Sequence, residues 1–303
     1  MTPLRALLPI ALGALLALVL AACGERSEPL GALAAPYPVT VQTGETTVTV
    51  TSLPKRIVAV DTGSADFVEA LGATEQLVGI PSGSSVGVSD AQVIVTATGR
   101  IQVGPIADLG PDIIIAADDT DPVELDRLKQ RLGVPVYVRP SRTVDDVVRA
   151  AFDLGALLGL PVKGRQLADD LRERVDEVGR RLAGVAAAPV FADTGFFQTP
   201  PAGSLFRDIL ERGGGQIVPE DTTGGFAASP AEIAAGSPQV YFATTDSRVT
   251  LQALQSDDVL GGTPAALDGR LVVLDTADTV VAGPETVDVL EAVAAAIHPD
   301  VFG

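Results

Sequence analysis

Short apolar segments alternate with amphipathic ones along most of this 303-residue chain. Valine and threonine alternate over residues 39–50, around Thr43-Gly44-Glu45, which predicts a β-hairpin. Apolar runs then predict two sets of strands, the first at 57–60, 77–80, 113–116 and 136–138, and the second at 190–192, 216–218, 240–243 and 271–274. Apolar strands separated by helices are typical of parallel sheets covered on both faces. The pattern therefore predicts an α/β fold with two sheets.

A long helical region separates the two sets of strands. Thr143 and Asp146 have the spacing of an N-terminal cap, and apolar residues repeat at helical spacing over 144–158. Pro161 suits the first turn of a second helix, which would span about 30 Å to Leu182. A helix of this length is expected to brace two lobes and to leave them little freedom to hinge.

The first 23 residues have the features of an export signal. Arg5 precedes the apolar run 6–20, and two alanines lead into Cys23, the only cysteine of the chain. Residues 20–23 resemble the bacterial lipobox, whose cysteine is acylated and becomes the N-terminus; this implies an extracytoplasmic protein anchored to the cell membrane. The predicted organisation is a signal peptide (1–22), a tether (23–38), an N-terminal lobe (39–142), an interlobe helical region (143–186) and a C-terminal lobe (187–303).

Charge and composition narrow the possible function classes. A formal net charge of −18 argues against nucleic acid as a partner, because few cations are present to displace phosphate counterions. The single histidine, His298, cannot supply a zinc cluster, and the sequence has no nucleophile elbow, phosphate-binding loop or dinucleotide fingerprint. We therefore expect a binding protein without a cofactor, and not an enzyme.

Four segments together resemble the helical-backbone class of ABC-importer solute-binding proteins, which capture vitamin B12, ferric siderophores and haem. They are LPKRIVAVDTGSADFVEALGATEQLVGI (53–80), LGPDIIIAADD (109–119), VDDVVRAAFDLGALLGLP (144–161) and SPAEIAAGSPQVYFAT (229–244). The resemblance implies two mainly parallel α/β lobes joined by a long rigid helix, a small-molecule ligand in the cleft between them, an ABC permease as partner and a monomeric protein. A binding lipoprotein with a sensory or scaffold role, not coupled to an importer, is the alternative.

The resemblance also concerns docking to the permease. The vitamin B12-binding member docks through one glutamate in each lobe, and the matching positions here are Gly104 and Ala231. Glu232 lies one residue later and, with Ser229, has the pattern of a capping box. Asp66 matches an acidic position in the first helix of the family. Asp66 and Glu232 are thus the docking candidates, and the sequence leaves open whether docking is altered or absent.

Polar and aromatic residues at the predicted strand ends are the candidates for ligand binding, because ligands of open parallel sheets gather there. They are Asp61, Thr62, Ser64, Ser82, Asp118, Asp119, Asp193, Phe196, Phe197, Thr244 and Asp246, with Phe226 from a glycine-rich loop.

These candidates are mostly acidic or hydroxylic, which disfavours a polyanionic ferric catecholate and favours a neutral or cationic ligand. Haem is disfavoured as well, since Tyr137 and Tyr241 fall inside predicted strands and His298 is near the C-terminus. An iron-siderophore or a cobalamin-like ligand remains, without a choice between the two.

Replacement of the lipobox cysteine tests the predicted anchor. We expect Cys23→Ser to prevent acylation and to release the mature protein from the membrane fraction into the soluble extracytoplasmic fraction. Cell fractionation followed by immunoblotting measures this change. A Cys23→Ser protein that stayed with the membrane after signal cleavage would contradict the lipoprotein assignment.

Overall fold

The computed structural model describes residues 37–44, 46–220 and 227–303, so the signal peptide, Cys23, Glu45 and Phe226 lie outside the described part. The predicted hairpin is present as β1 (Val39–Thr43) and β2 (Thr46–Val50), which pair antiparallel. Its valines at 41, 48 and 50 are buried, while Thr40, Thr47 and Thr49 are exposed. This alternation is the pattern from which the hairpin was predicted.

The N-terminal sheet has five parallel strands in the order β5-β4-β3-β6-β7. They are β3 (Ile57–Ala59), β4 (Leu77–Pro81), β5 (Gln92–Val95), β6 (Ile113–Ala117) and β7 (Val136–Arg139). Helices α1 (Thr62–Ala70), α2 (Val103–Leu109) and α3 (Pro122–Leu132) connect them. The sequence analysis did not predict β5. That strand lies at the sheet edge with its first two residues exposed, so it lacks the continuous apolar run of its neighbours.

Two helices form the predicted interlobe region. Helix α4 (Val144–Leu157) begins with the capping box of Thr143 and Asp146, as predicted. Helix α5 (Pro161–Arg181) has 21 residues and begins at proline. The two helices approach each other closely at Gly155 and Gly164, where a Cβ on either glycine would lie within 2.5 Å of the other's Cα. Backbone contact at this crossing therefore requires glycine on both helices.

The C-terminal sheet has four parallel strands in the order β11-β10-β8-β9. They are β8 (Ala188–Asp193), β9 (Gly215–Ile217), β10 (Val240–Thr244) and β11 (Leu271–Leu274). All four coincide closely with the predicted strands. The helices of this part are α6 (Leu205–Arg212), α7 (Pro230–Ala235), α8 (Leu251–Ser256), α9 (Pro264–Leu267), α10 (Thr276–Val280), α11 (Thr286–Ile297) and α12 (Pro299–Phe302).

One apolar core runs through the centre of the molecule and includes both sheets. It joins Ile57 and Ile113 of the first sheet, Leu154 and Leu171 of the interlobe helices, and Phe242 of the second sheet in a continuous set of buried side chains. Two smaller cores lie on the other faces of the two sheets. The lobes are therefore fused through their inner faces, and the described residues form one compact unit.

Ion pairs at the margins of this core link the interlobe helices to the C-terminal lobe. Arg174 of α5 reaches Glu291 at 2.7 Å and also contacts Asp288, both on α11. At the other end, Arg212 of α6 bridges Asp145 of α4 at 2.6 Å and Asp208 at 3.0 Å. These contacts are consistent with a rigid brace. The lobe boundaries at 142/143 and 186/187 stay a prediction.

None of the helices in residues 37–44, 46–220 and 227–303 is long and apolar enough to cross a membrane.

The glycine crossing allows a matched pair of substitutions on one helix. We expect Gly164→Ala to lower the free energy of unfolding by about 2–3 kcal/mol, because its Cβ would overlap Gly155 and the Ala151 carbonyl. Gly179→Ala, on the same helix with open space around it, is expected to raise that free energy by about 0.5–1 kcal/mol through helix propensity. Urea unfolding measures both, and equal effects would contradict the close crossing.

Candidate functional site

Two cavities lie where loops from the carboxyl ends of both sheets come together. Cavity A, of about 280 Å³, is lined by Thr62, Asp66, Gly83 and Ser85 from the first lobe and by Ala277, Asp278, Val281, Glu285, Thr286 and Val289 from the second. Cavity B, of about 250 Å³, is lined by Asp119, Ser141, Arg142, Pro201, Ala202, Gly203, Ser204, Leu205, Thr279 and Val280. Helix α10 contributes residues to both cavities and so stands between them. Together they form a candidate interlobe cleft.

A buried arginine organises the first-lobe side of this cleft. Arg139, the last residue of β7, is 1% exposed, and its Nη2 donates to Asp61 Oδ1 at 2.6 Å. Its Nε donates to Ser64 Oγ at 2.9 Å, and the guanidinium lies 5.5 Å from the centroid of the Phe67 ring. Asp61 in turn caps α1 by accepting from the Ser64 amide. This cluster fixes the start of α1, where Thr62 faces cavity A.

The two lobes touch directly beside this cluster. A Cβ on Gly63 would lie 2.5 Å from the carbonyl oxygen of Ala282, and a Cβ on Gly283 would lie 3.6 Å from the Cα of Gly63. Ala282 is buried. Because a Cβ on Gly63 would clash with the Ala282 carbonyl, the backbone of α1 and the segment before α11 are in close contact at the floor of the cleft.

Cavity A is strongly acidic. Burial and then the neighbouring carboxylates of Glu285, Glu69 and Asp61 raise the pKa of Asp66 to about 6, against the opposing effect of Arg139. A Cβ on Gly283 would lie 2.8 Å from Glu285 Oε2 and 3.6 Å from Asp66 Oδ2. Carboxylates from both lobes therefore face one small space. Burial followed by Asp275 also raises the pKa of Asp278. No lysine or arginine is among the described residues that line this cavity.

Cavity B has a mixed charge. The Asp119 side chain is partly exposed, yet burial is the largest cause of its raised pKa. The carboxylates of Asp61 and Asp118 raise this pKa as well. Arg142 lines the cavity and pairs with Asp118 at 3.1 Å, while Ser141 donates to the other oxygen of Asp118. Asp118 is therefore engaged inside the first lobe, whereas Asp119 is the acidic group that faces the cavity.

An exposed aromatic residue follows strand β8 on the second-lobe side. Phe196 is 94% exposed with φ +54°, and Phe197 next to it has φ +58°. Asp193, which is 1% exposed, holds this turn because its Oδ1 accepts from the amides of Gly195 and Phe197 at 2.8 and 3.0 Å. The Tyr241 hydroxyl donates to its Oδ2 at 3.0 Å. Asp193 thus anchors the backbone that presents Phe196.

The remaining candidates lie in different surroundings. Ser64 and Thr244 are buried, and Ser82 and Asp246 are exposed outside the two cavities, with the Asp246 amide donating to Thr276 Oγ1. Glu232 accepts from the Ser229 amide at 2.8 Å, and this capping box lowers the pKa of its carboxyl. Thr62, Asp66 and Asp119 are brought to the cavities. Ligand contact by the predicted residues, and docking by Asp66 and Glu232, stay predictions.

Three residues important to this site were absent from the candidates named from the sequence, namely Arg139, Asp278 and Glu285. An arginine that ends an apolar strand is a usable signal, because a charge so close to a core needs a partner. Asp278 and Glu285 come from the segment after β11, and only the tertiary structure brings that segment to the first lobe.

The tyrosines and the histidine lie away from the two cavities. Tyr137 is buried and donates to Asp153 at 3.1 Å, and Tyr241 is buried against Asp193. Tyr37 donates to the Leu157 carbonyl, and Nε2 of His298 lies 3.1 Å from the Gly214 carbonyl oxygen. Within the described ranges no three His, Cys, Asp or Glu side chains are grouped so as to hold a metal ion.

Comparison with known proteins agrees with this architecture. The family described as periplasmic binding protein matches residues 57–277. An uncharacterized ABC transporter substrate-binding lipoprotein, YvrC of Bacillus subtilis, is 22% identical over 303 residues, covering 95% of this chain and 96% of that protein.

Two solved structures have the same fold. The periplasmic vitamin B12-binding protein BtuF of Vibrio cholerae has a TM-score of 0.70 and 20% identity, over 81% of this chain and 97% of that one. The periplasmic heme-binding protein RhuT from Roseiflexus sp. RS-1 has a TM-score of 0.69 and 19% identity, over 82% and 99%.

The raised pKa of Asp66 predicts a pH-dependent difference between the protein and its Asp66→Asn variant. A carboxyl whose pKa rises on folding stabilises the fold below its ordinary pKa, and this contribution is lost as the pH rises through about 6. We expect Asp66→Asn to gain about 1 kcal/mol of unfolding free energy relative to the native sequence between pH 4 and pH 8, a value reduced for partial solvent screening.

Urea unfolding at a series of pH values measures this difference. Glu285→Gln is the matched test, because removal of the neighbouring charge should lower the pKa of Asp66 and move the transition to lower pH. A stability difference that does not change with pH would refute the assignment.

Proposed function

Because the chain belongs to the periplasmic binding protein family, we propose that it is an extracytoplasmic solute-binding lipoprotein that captures an iron-siderophore or cobalamin-like ligand between its lobes for an ABC importer. The family and the fold give it an ABC solute-binding role. The observation that carries the finer proposal is the acidic cavity A, to which both lobes contribute carboxylates beside the carboxyl ends of their strands.

The negative charge of the cleft favours some of the ligands named for similar proteins over others. Asp66, Asp278 and Glu285 face cavity A without a cation in its described lining, so a polyanionic ligand would meet repulsion in a partly desolvated space. A neutral corrinoid or a cationic hydroxamate chelate avoids this cost. RhuT is named for heme, but here the tyrosines and His298 are engaged elsewhere and haem would lack an axial ligand from them.

The ligand would be held as a complete chelate or corrinoid. Since no described group of side chains is arranged to bind a bare metal ion, the metal would keep its own organic ligands. Thr62, Asp66, Asp278 and Glu285 would provide hydrogen bonds and charge, while Phe196 would offer an aromatic face. This division between a few polar groups and apolar surface is usual in small-molecule sites.

Binding would proceed with little movement of the lobes. The continuous core and the glycine contact at Gly63 and Gly283 oppose hinge opening. Cavities A and B are each near the lower limit of about 300 Å³ for small-molecule pockets, and helix α10 stands between them. This helix has five residues, of which only Thr279 is buried. A local shift of α10 would therefore join the two cavities into one larger site.

A screen of purified mature protein identifies the ligand class. We expect cobalamin, cobinamide or ferrioxamine to raise the melting temperature, and haemin or a trianionic ferric catecholate to leave it unchanged. We expect Glu285→Lys to weaken binding of the active compound at least about tenfold, since it places an opposite charge in cavity A.

Glu173→Lys is the control, because Glu173 is exposed on α5 and far in sequence from the cleft elements. It makes the same change in net charge and should bind as the native sequence does. Stabilisation by haemin or the catecholate alone would overturn the charge argument. The sensory or scaffold alternative predicts that no candidate permease in nanodiscs binds the protein in either its liganded or its free state.

A further inference from the structure

A concave arginine pocket lies on the first lobe, apart from the two cleft cavities. It has a volume of about 470 Å³, larger than either cleft cavity, and Arg100, Arg127 and Arg131 line it. Ile101, Val103 and Pro105 supply apolar surface in the same pocket. No aspartate or glutamate is among its described lining residues, on a chain whose formal net charge is −18.

Ordered elements hold the three arginines in place. Arg100 sits in a turn closed by a hydrogen bond from the Thr96 amide to its carbonyl at 3.0 Å and by another from its own amide to Thr96 Oγ1 at 3.2 Å. Val95 and Ile101 pair across this turn. Arg127 and Arg131 are four residues apart on α3, so they lie on one face of that helix. The pocket is thus preformed.

Two of the three pocket arginines have no ion pair with a carboxylate of the described residues. Ten arginines of the described ranges form ion pairs with carboxylates, and of the pocket residues only Arg127 is among them, through Glu124. Arg100 and Arg131 are exposed and have no ion pair within the described residues. Two guanidinium groups therefore remain available for an external anion, for which arginine offers bidentate hydrogen bonds.

We propose that the arginine pocket docks an acidic side-chain cluster of the ABC permease. This inference rests on the proposed function, which supplies the permease as partner. Arginine combined with apolar surface in a concavity is typical of the energetically important centre of a protein interface. Gly104, where the resemblance places a docking glutamate in relatives, lines this pocket with open space around it. The charge of docking on this lobe is thus inverted.

The surroundings favour a protein partner over an anionic membrane. Asp108 on α2 and Asp126 on α3 are exposed on the two helices that border the pocket. A flat anionic surface would meet these carboxylates together with the arginines. A protruding acidic segment enters the concavity and contacts the arginines alone.

The test uses a permease in nanodiscs that binds the native protein, and it measures how fast the mature protein associates with this permease. We expect Arg100→Glu with Arg131→Glu to slow association at least about tenfold at low salt and to flatten its salt dependence, because steering charges act mainly on the association rate. Lys55→Glu with Arg165→Glu is the control. Both residues are exposed without a side-chain ion pair in the described ranges, and the net charge changes equally.

Ligand-induced thermal stabilisation of the double variant shows that fold and cleft are intact. Equal association of both variants with the permease would overturn the docking proposal while leaving the solute-binding function in place. If the double variant lost binding to vesicles with about 30 mol % phosphatidylglycerol while its permease association was unchanged, the pocket would be a membrane site and the docking proposal would also be overturned. Absence of any permease complex with the native sequence would refute the importer function itself.

Discussion

Buried side chains from both sheets and from helices α4 and α5 pack into one continuous core, and this packing fixes the distance between the lobes. Hinge motion requires two domains whose cores are separate, since an apolar surface exposed by opening costs about 25 cal/mol per Å². Here the inner faces of both sheets share one core, and the glycine crossing at Gly155 and Gly164 lets the bracing helices pack with backbone contact. The shape of the cleft follows from this constraint.

The floor of the cleft belongs to a rigid frame, whereas short elements line its mouth. Arg139 ties the start of α1 to the first sheet, and Gly63 meets the Ala282 carbonyl across the floor. Above the floor, α10 is a single helical turn with mostly exposed residues. Charge in the site is similarly divided, since Asp61 has a buried cationic partner while Asp66 and Glu285 face each other without one.

The predicted strands and the interlobe helices agree with the structure because their signals are local. An apolar run such as 113–116 buries both faces of a strand, and the Thr143 cap needs only residues three apart. The residues of the candidate site were harder to predict from such local signals. Proximity to a strand end identified Thr62 and Asp119, but it gave no information on side-chain direction, so Ser64 and Thr244 proved to be buried.

Long-range contacts account for what the sequence did not reveal. Glu285 is distant in sequence from Asp66, and neither residue carries a local pattern that indicates the other. The edge strand β5 likewise lacks a distinctive pattern, because its stability comes from pairing with β4. Local periodicity thus specified the scaffold, whereas the composition of the cleft depends on which loops the completed fold brings together.

The Asp193 anchor separates the support of the β8 loop from its tip. A left-handed backbone at Phe196 and Phe197 costs about 1–2 kcal/mol per residue for side chains of this type, and Gly or Asn would relieve it. Because Asp193 and Tyr241 hold the loop independently of its tip, Phe196 is free to be exchanged without loss of the scaffold. The side chain at position 196 is thus separate from the buried framework that shapes the loop.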